Sequence, residues 1–230
     1  MSAQPFSAHP RTKPAMICWK TWGFSFPGEY DVSGTLVGVV EKSRMLDGRS
    51  IRPGDAVLGL ASSGLHTNGY SLARKILFEQ MKLKATSRLT GLAGTVGEEL
   101  LKVHVSYGPL VQKLLKKFNP AKSGAALGIK GLAHITGGGF VDNIPRVLPK
   151  NCDVVIRKSS WAMPAIFQIL QARGGVAEAE LYQVFNMGIG MTAIVDARKA
   201  DAILRSLRAA KQPAWRIGEV VKGRGQARVV

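Results

Sequence analysis

Residues 61–74, ASSGLHTNGYSLAR, decide the reading of this chain. The run before them, Ala56-Val57-Leu58-Gly59-Leu60, is short and apolar, as a buried strand is. After them, Leu72, Ile76, Leu77 and Met81 recur at helical spacing and predict a helix over 70–81. A strand that empties into a small, hydroxyl-rich turn and then a helix is suited to an anion. Glycine lets backbone N–H groups approach, and a helix start adds partial positive charge. Ser62, Ser63 and Gly64 offer hydroxyl and N–H donors to such a ligand, or an ST turn that caps the helix, and the two are not exclusive. His66 is the candidate catalytic residue: its ring can take or give a proton near neutral pH, or remain a turn histidine satisfied by backbone. Asn68 is a ligand contact or, with Gly69, a turn pair that tolerates positive φ.

A second segment of the same kind is AHITGGGF at 133–140. Thr136, Gly137, Gly138 and Gly139 form its turn, and three glycines in a row suit a chain that bends sharply or is closely approached. His134 stands at the strand end before it, as a packed histidine or a substrate contact. Asn143 and Arg146 follow, and Arg146 suits either a bidentate phosphate clamp or a structural ion pair. Asn186, Gly188 and Gly190 form a small-residue turn best read as packing against the other glycine loops.

The rest of the chain alternates strands with helices. Strands are expected at 32–41, 55–61, 129–135, 153–157, 187–195 and 215–220. Helices are expected within 98–118, broken near Gly108-Pro109, and at 141–146, 160–173, 178–184 and 197–209. This pattern is an α/β layered domain with a mixed sheet. Residues 1–26 read as an atypical, disordered leader, 27–52 as a remnant and connection, 53–222 as the main domain and 223–230 as a flexible tail.

Composition narrows the function classes. At 230 residues one good core is affordable, and no apolar run is long enough for a transmembrane helix, so no membrane partner is expected. Cys18 and Cys152 lack CxxC spacing and suggest reduced thiols in a cytoplasmic setting. The net charge of +17 invites nucleic acid, yet the basic residues are spread and aromatics few, so no specific nucleic-acid partner is expected. Lys113, Lys116 and Lys117 read as a solvated helix face. The four histidines, His9, His66, His104 and His134, show no pair at metal-ligand spacing, which argues against zinc. His104 is expected in a helix, at the core or surface, and Glu29 with Asp31 is a weak magnesium candidate.

The blocks SSGLHTNGYSLARK (62–75), HITGGGFVDNIPRVLP (134–149), FNMGIGM (185–191), AWRIGEV (214–220) and PGEYDVSGTLVGVVEK (27–42) resemble, in order, the phosphoribosylformylglycinamidine cyclo-ligase family, also called aminoimidazole ribonucleotide synthetase. The resemblance covers roughly residues 27–222 and implies the C-terminal domain of that fold. It further implies ATP-dependent cyclisation of formylglycinamidine ribonucleotide in purine synthesis, with ATP and Mg²⁺, a ribonucleotide substrate and a homodimer in intact members. His66 would be catalytic, and Ser62, Ser63, Gly64, Asn68, Thr136, Gly137, Gly138 and Gly139 would hold substrate or phosphate. The family's N-terminal domain has no counterpart in these residues, so the chain is expected to be a C-terminal half with little activity alone and doubtful dimerisation. A non-catalytic phosphate-binding module is the alternative.

Overall fold

The structure, a computed structural model, describes residues 15–18, 35–120 and 126–230. Glu29 and Asp31, the magnesium candidate, and most of 1–26 lie outside the described residues. The chain divides into two units, Met1–Leu46 and Asp47–Val230. In the first, β1 (Ala15–Cys18) pairs antiparallel with β2 (Thr35–Gly38). Ala15–Cys18 thus forms a strand within the stretch read as a leader.

The second unit is built on β3 (Ala56–Ala61), the apolar run of the sequence, whose first five residues are fully buried. A strand buried on both faces needs neighbours on both edges and cover above and below. Four short helices follow it: α1 (Tyr70–Arg74), α2 (Val96–Leu100), α3 (Gly108–Phe118) and, after β4 (Ile129–His134), α4 (Gly139–Asn143). Then come β5 (Cys152–Ile156), α5 (Ala165–Gly174), α6 (Glu178–Val184), β6 (Ile189–Val195), α7 (Ala200–Ala209), β7 (Ala214–Lys222) and β8 (Ala227–Val229). The six strands from β3 onward form one mixed sheet in the order β4-β6-β3-β7-β5-β8, antiparallel except for the parallel pair β5–β8.

The helices obey their sequence periods. On α3, Leu114 and Phe118 face inward, four residues apart, while Lys113, Lys116 and Lys117 stay exposed, and Pro109 sits in its first turn, where no N–H is needed. On α7, Ala200, Ile203 and Leu207 make the buried stripe. Helix α2 begins with a capping box, Thr95 accepting from the Glu98 amide at 3.2 Å and Glu98 from the Thr95 amide at 2.7 Å. The helix expected over 70–81 is divided: α1 gives way to a π turn at Lys75–Gln80 that carries both Ile76 and Leu77 into the core. The long helical pattern of 98–118 is also divided, because the chain between α2 and α3 leaves the helix and carries His104 in a non-helical connection.

The segment 223–230, expected as a loose tail, carries the strand β8. Val154, Val155 and Ile156 pair with Ala227, Arg228 and Val229. Asp153 anchors the approach, accepting the amides of Arg224 at 2.7 Å and Gln226 at 2.8 Å. Those two bonds, foremost that from Gln226, hold the Asp153 carboxyl below the ordinary aspartate value. Just before β3, Asp55 and Lys130 form a buried ion pair at 2.6 Å, with side chains 4% and 5% exposed. The second Asp55 oxygen accepts the Arg52 amide at 2.9 Å.

Two expectations follow. Asp55→Ala leaves the Lys130 ammonium buried and unpaired, and should lower unfolding free energy by about 3–5 kcal/mol in urea melts, while Asp55→Leu with Lys130→Met should recover most of it. Asp153 has a lowered folded pKa, so its contribution is present above the unfolded value of about 3.9 and drains as pH falls through the folded one. Asp153→Asn should therefore lower Tm at pH 7, and its gap to the parent should close below about pH 4.

Candidate active site

Strand β6 lies between β3 and β4 and runs antiparallel to both. Strands β3 and β4 therefore point the same way, and their exits, the bends at 62–69 and 135–138, emerge at one end of the sheet. They touch: the Gly137 amide donates to Asn68 Oδ1 at 3.0 Å. The register of β3 against β6 shifts between Leu60 and Ala61, so the ladder is irregular at the point where the first bend leaves.

Each bend is tied by a buried asparagine. Asn186, fully buried, donates through Nδ2 to the carbonyls of Gly64 at 2.9 Å and Leu65 at 3.2 Å, and its Oδ1 accepts the Gly188 amide at 2.8 Å. Asn143 does the same for the second bend, donating to Gly139 O at 2.7 Å and, more weakly at 3.3 Å, to Thr136 O and Gly137 O. The Thr136 hydroxyl donates to Asn143 Oδ1 at 3.1 Å. Sequence reasoning treated Asn186 as packing and passed over Asn143. The signal available was position: each asparagine lies next to a glycine turn, but nothing in the sequence says which turn it binds.

The predicted ligand residues divide by what they already bind. Ser62 lies with its hydroxyl 2.9 Å from Asn186 Oδ1 and 3.0 Å from Gly64 O, and Ser63 donates its hydroxyl to Val103 O at 2.7 Å. Both hydroxyls tie the loop, and no side chain caps α1, so they brace the bend and not the helix start. Gly64, Gly137, Gly138 and Gly139 shape the bends. A side chain at Gly139 would overlap the Tyr182 carbonyl, and its φ is +58°, so only glycine fits.

His66 and Asn68 differ. His66 is 3% exposed and sits at φ +58°, a rare conformation for a residue with a side chain. Its Nε2 accepts the amides of Ser63 at 3.1 Å and Val105 at 3.4 Å. An acceptor Nε2 in a neutral ring places the proton on Nδ1, and Nδ1 is buried without a partner. Burial foremost, with the neighbouring His104 and His134, lowers the His66 pKa to about 4, so the ring is neutral at pH 7. Asn68 repeats the situation. Its Oδ1 is taken by Gly137, and its Nδ2 is buried without a partner.

The structure also gathers what chain spacing kept apart. The His104 ring stacks on His66 with centroids 3.8 Å apart and planes at 19°. His104 Nε2 lies 3.1 Å from His134 Nε2. One ring nitrogen of each of the three histidines lies within 4.8 Å of the other two. His104 thus lies beside His66 and His134, neither in the core nor free on the surface, and the fold gathers three histidines whose chain spacing shows no metal-ligand pair. Burial lowers the pKa of His104, and burial followed by His104 lowers that of His134. Tyr107 donates to Ala61 O at 2.7 Å beside them. Gly190 makes room: a side chain there would meet the Tyr107 hydroxyl and the His66 ring.

A family profile, AIR synthase related protein, C-terminal domain, matches residues 52–230. The chain belongs to this family. Phosphoribosylformylglycinamidine cyclo-ligase of Syntrophotalea carbinolica is 47% identical over 200 residues, covering 87% of this chain and 55% of that protein. The enzyme of the same name from Citrifermentans bemidjiense is 48% identical over 200 residues, with 87% and 55% covered. The chain therefore spans about half the length of the curated relatives it matches. Among solved structures, thiamine-monophosphate kinase of Stenotrophomonas maltophilia shares the fold at TM-score 0.56 and 15% identity, covering 85% of this chain and 56% of that one. E. coli HypE shares it at TM-score 0.52 and 20% identity, covering 84% and 51%. The mixed α/β architecture is that of the AIR synthase C-terminal domain. No helix among the described residues is long and apolar enough to cross a membrane.

The family resemblance implies Mg²⁺, and the donors at these bends do not fit it. Mg²⁺ takes oxygen ligands, whereas the one gathering of three or more histidine, cysteine or acidic donors among the described residues is the histidine trio.

Gly139→Ala, which meets the Tyr182 carbonyl at a positive φ, should lower unfolding free energy by about 2–3 kcal/mol in denaturant melts. A tolerated substitution would show that the second bend is looser than described.

Proposed function

We propose that this chain is the substrate-holding half of a phosphoribosylformylglycinamidine cyclo-ligase, and that its two bends grip the ribonucleotide. The supporting observation is the pair of orphaned donors where the bends meet, His66 Nδ1 and Asn68 Nδ2. A buried N–H without an acceptor costs about 1–3 kcal/mol, so such a pair calls for an incoming oxygen. A phosphate or the formyl amide oxygen of the substrate supplies it. The 47–48% identity to cyclo-ligases supports a ribonucleotide of that class as the substrate.

In this reading the Asn186 and Asn143 ties hold the bends rigid before substrate arrives, so little ordering is needed on binding. Thr136 and the glycines after it bring backbone against the ligand, Asn68 orients one oxygen, and His66 donates from Nδ1 as charge develops on that oxygen. The low pKa keeps the ring a neutral donor at pH 7. ATP enters as co-substrate, and cyclisation requires the half of the enzyme that the longer relatives carry. The intact enzyme would act as a homodimer in the cytoplasm.

The test is calorimetric titration of the chain with formylglycinamidine ribonucleotide, followed by complementation with the N-terminal half of a relative. His66→Ala and Asn68→Ala should each weaken binding by about 10- to 100-fold, the worth of one hydrogen bond to a charged group. The chain alone should release little ADP, and the complemented pair should turn over. Affinities unchanged in both variants would remove the proposed grip. Binding without turnover in the complemented pair would favour the non-catalytic module.

A further inference from the structure

We propose that His104, His134 and His66 form a binding site for a first-row divalent cation of the zinc class. The three come from separate places: His66 from the bend after β3, His134 from the end of β4, and His104 from the connection between α2 and α3. Their ring nitrogens lie within 4.8 Å of one another, and the Nε2 atoms of His104 and His134 are 3.1 Å apart. Tetrahedral zinc with Zn–N bonds of about 2.0–2.1 Å spaces its ligand nitrogens by about 3.3 Å, so two of three ligands already stand near coordinating distance. A hydrogen bond between these two nitrogens uses one proton and one lone pair; a cation uses both lone pairs.

The donor set selects the metal. Three imidazoles suit Zn²⁺, Co²⁺, Ni²⁺ or Cu²⁺ and disfavour Mg²⁺ and Ca²⁺. The neutral ring is the ligating form, and burial holds the three rings toward it. His104 and His134 are half-buried, so a cation has a way in and a fourth position for water.

His66 enters through Nδ1, the atom that lacks a partner. Its ring proton then moves from Nδ1 to Nε2, and the amide contacts from Ser63 and Val105, at 3.1 and 3.4 Å, give way to water. The cation would join two bends to the connection that already supplies Val103 O to Ser63 and the Tyr107 hydroxyl to Ala61. This proposal does not need the ribonucleotide reading, and because both use His66 Nδ1, a metal and a substrate oxygen would compete for that atom.

The experiment titrates the untagged chain with Co²⁺, with no nucleotide present, and follows the visible absorption of tetrahedral cobalt. One equivalent should bind, Zn²⁺ should displace it, and Mg²⁺ should not. His104→Ala should weaken Co²⁺ binding at least tenfold while its metal-free melting curve stays cooperative. His104→Gln, which keeps much of the ring's bulk, should fail in the same way. In the parent, Zn²⁺ should speed hydrogen exchange at the Ser63 and Val105 amides. Absence of the cobalt band, or a band that survives both His104 variants, would overturn the proposal. A band lost with His104 but without any change at Ser63 and Val105 would overturn the role of His66.

Discussion

The antiparallel pairing of β6 with both β3 and β4 is the constraint on which the site depends. Two strands paired to opposite edges of a third, each antiparallel to it, must run parallel to each other. Their exits then lie at one end of the sheet, separated by the width of a single strand. Everything that follows is local closure of that gap: the bond from Gly137 N–H to Asn68 Oδ1, and the asparagine ties on either side. Gly190, near the start of β6, lies between the two exits, and lacking a side chain it lets the His66 ring and Tyr107 fill the space.

The same closure explains why polar groups are left over. A loop fixed through its backbone carbonyls and hydroxyls spends Ser62, Ser63, Thr136, Asn143 and Asn186 on itself. What it does not spend is His66 Nδ1 and Asn68 Nδ2. Native folds rarely leave buried donors unmet, and each such group has a cause in strain, chemistry or a partner from outside the chain. The rigid ties and the unmet donors are two sides of one arrangement, on which the proposed grip rests.

Much of this was legible from residue pattern. The apolar run 56–60 and the turn after it placed β3 and its bend, and the three glycines at 137–139 placed the second bend. What pattern did not carry was pairing across the sheet. The present partners of the Ser62 and Ser63 hydroxyls, Asn186 and Val103, lie 124 and 40 residues away, beyond any local pattern. His104 looks like a helical residue because Leu100 and Leu101 continue the helical spacing, yet helix α2 stops at Leu100 and the freed chain swings His104 onto His66. The tail at 223–230 looks mobile because glycine and basic residues dominate it. Asp153 holds it through two amides, a contact no local period reveals.

The central claim is that the two bends form one anion grip. Chemical-shift mapping of the ¹⁵N-labelled chain with ribose 5-phosphate tests it most directly. The account predicts saturable shifts at the Gly137 and Gly138 amides together with the His66 ring and the Asn68 side-chain amide, all fitting one dissociation constant. Shifts confined to one bend, or centred on the exposed lysines of α3, would contradict it.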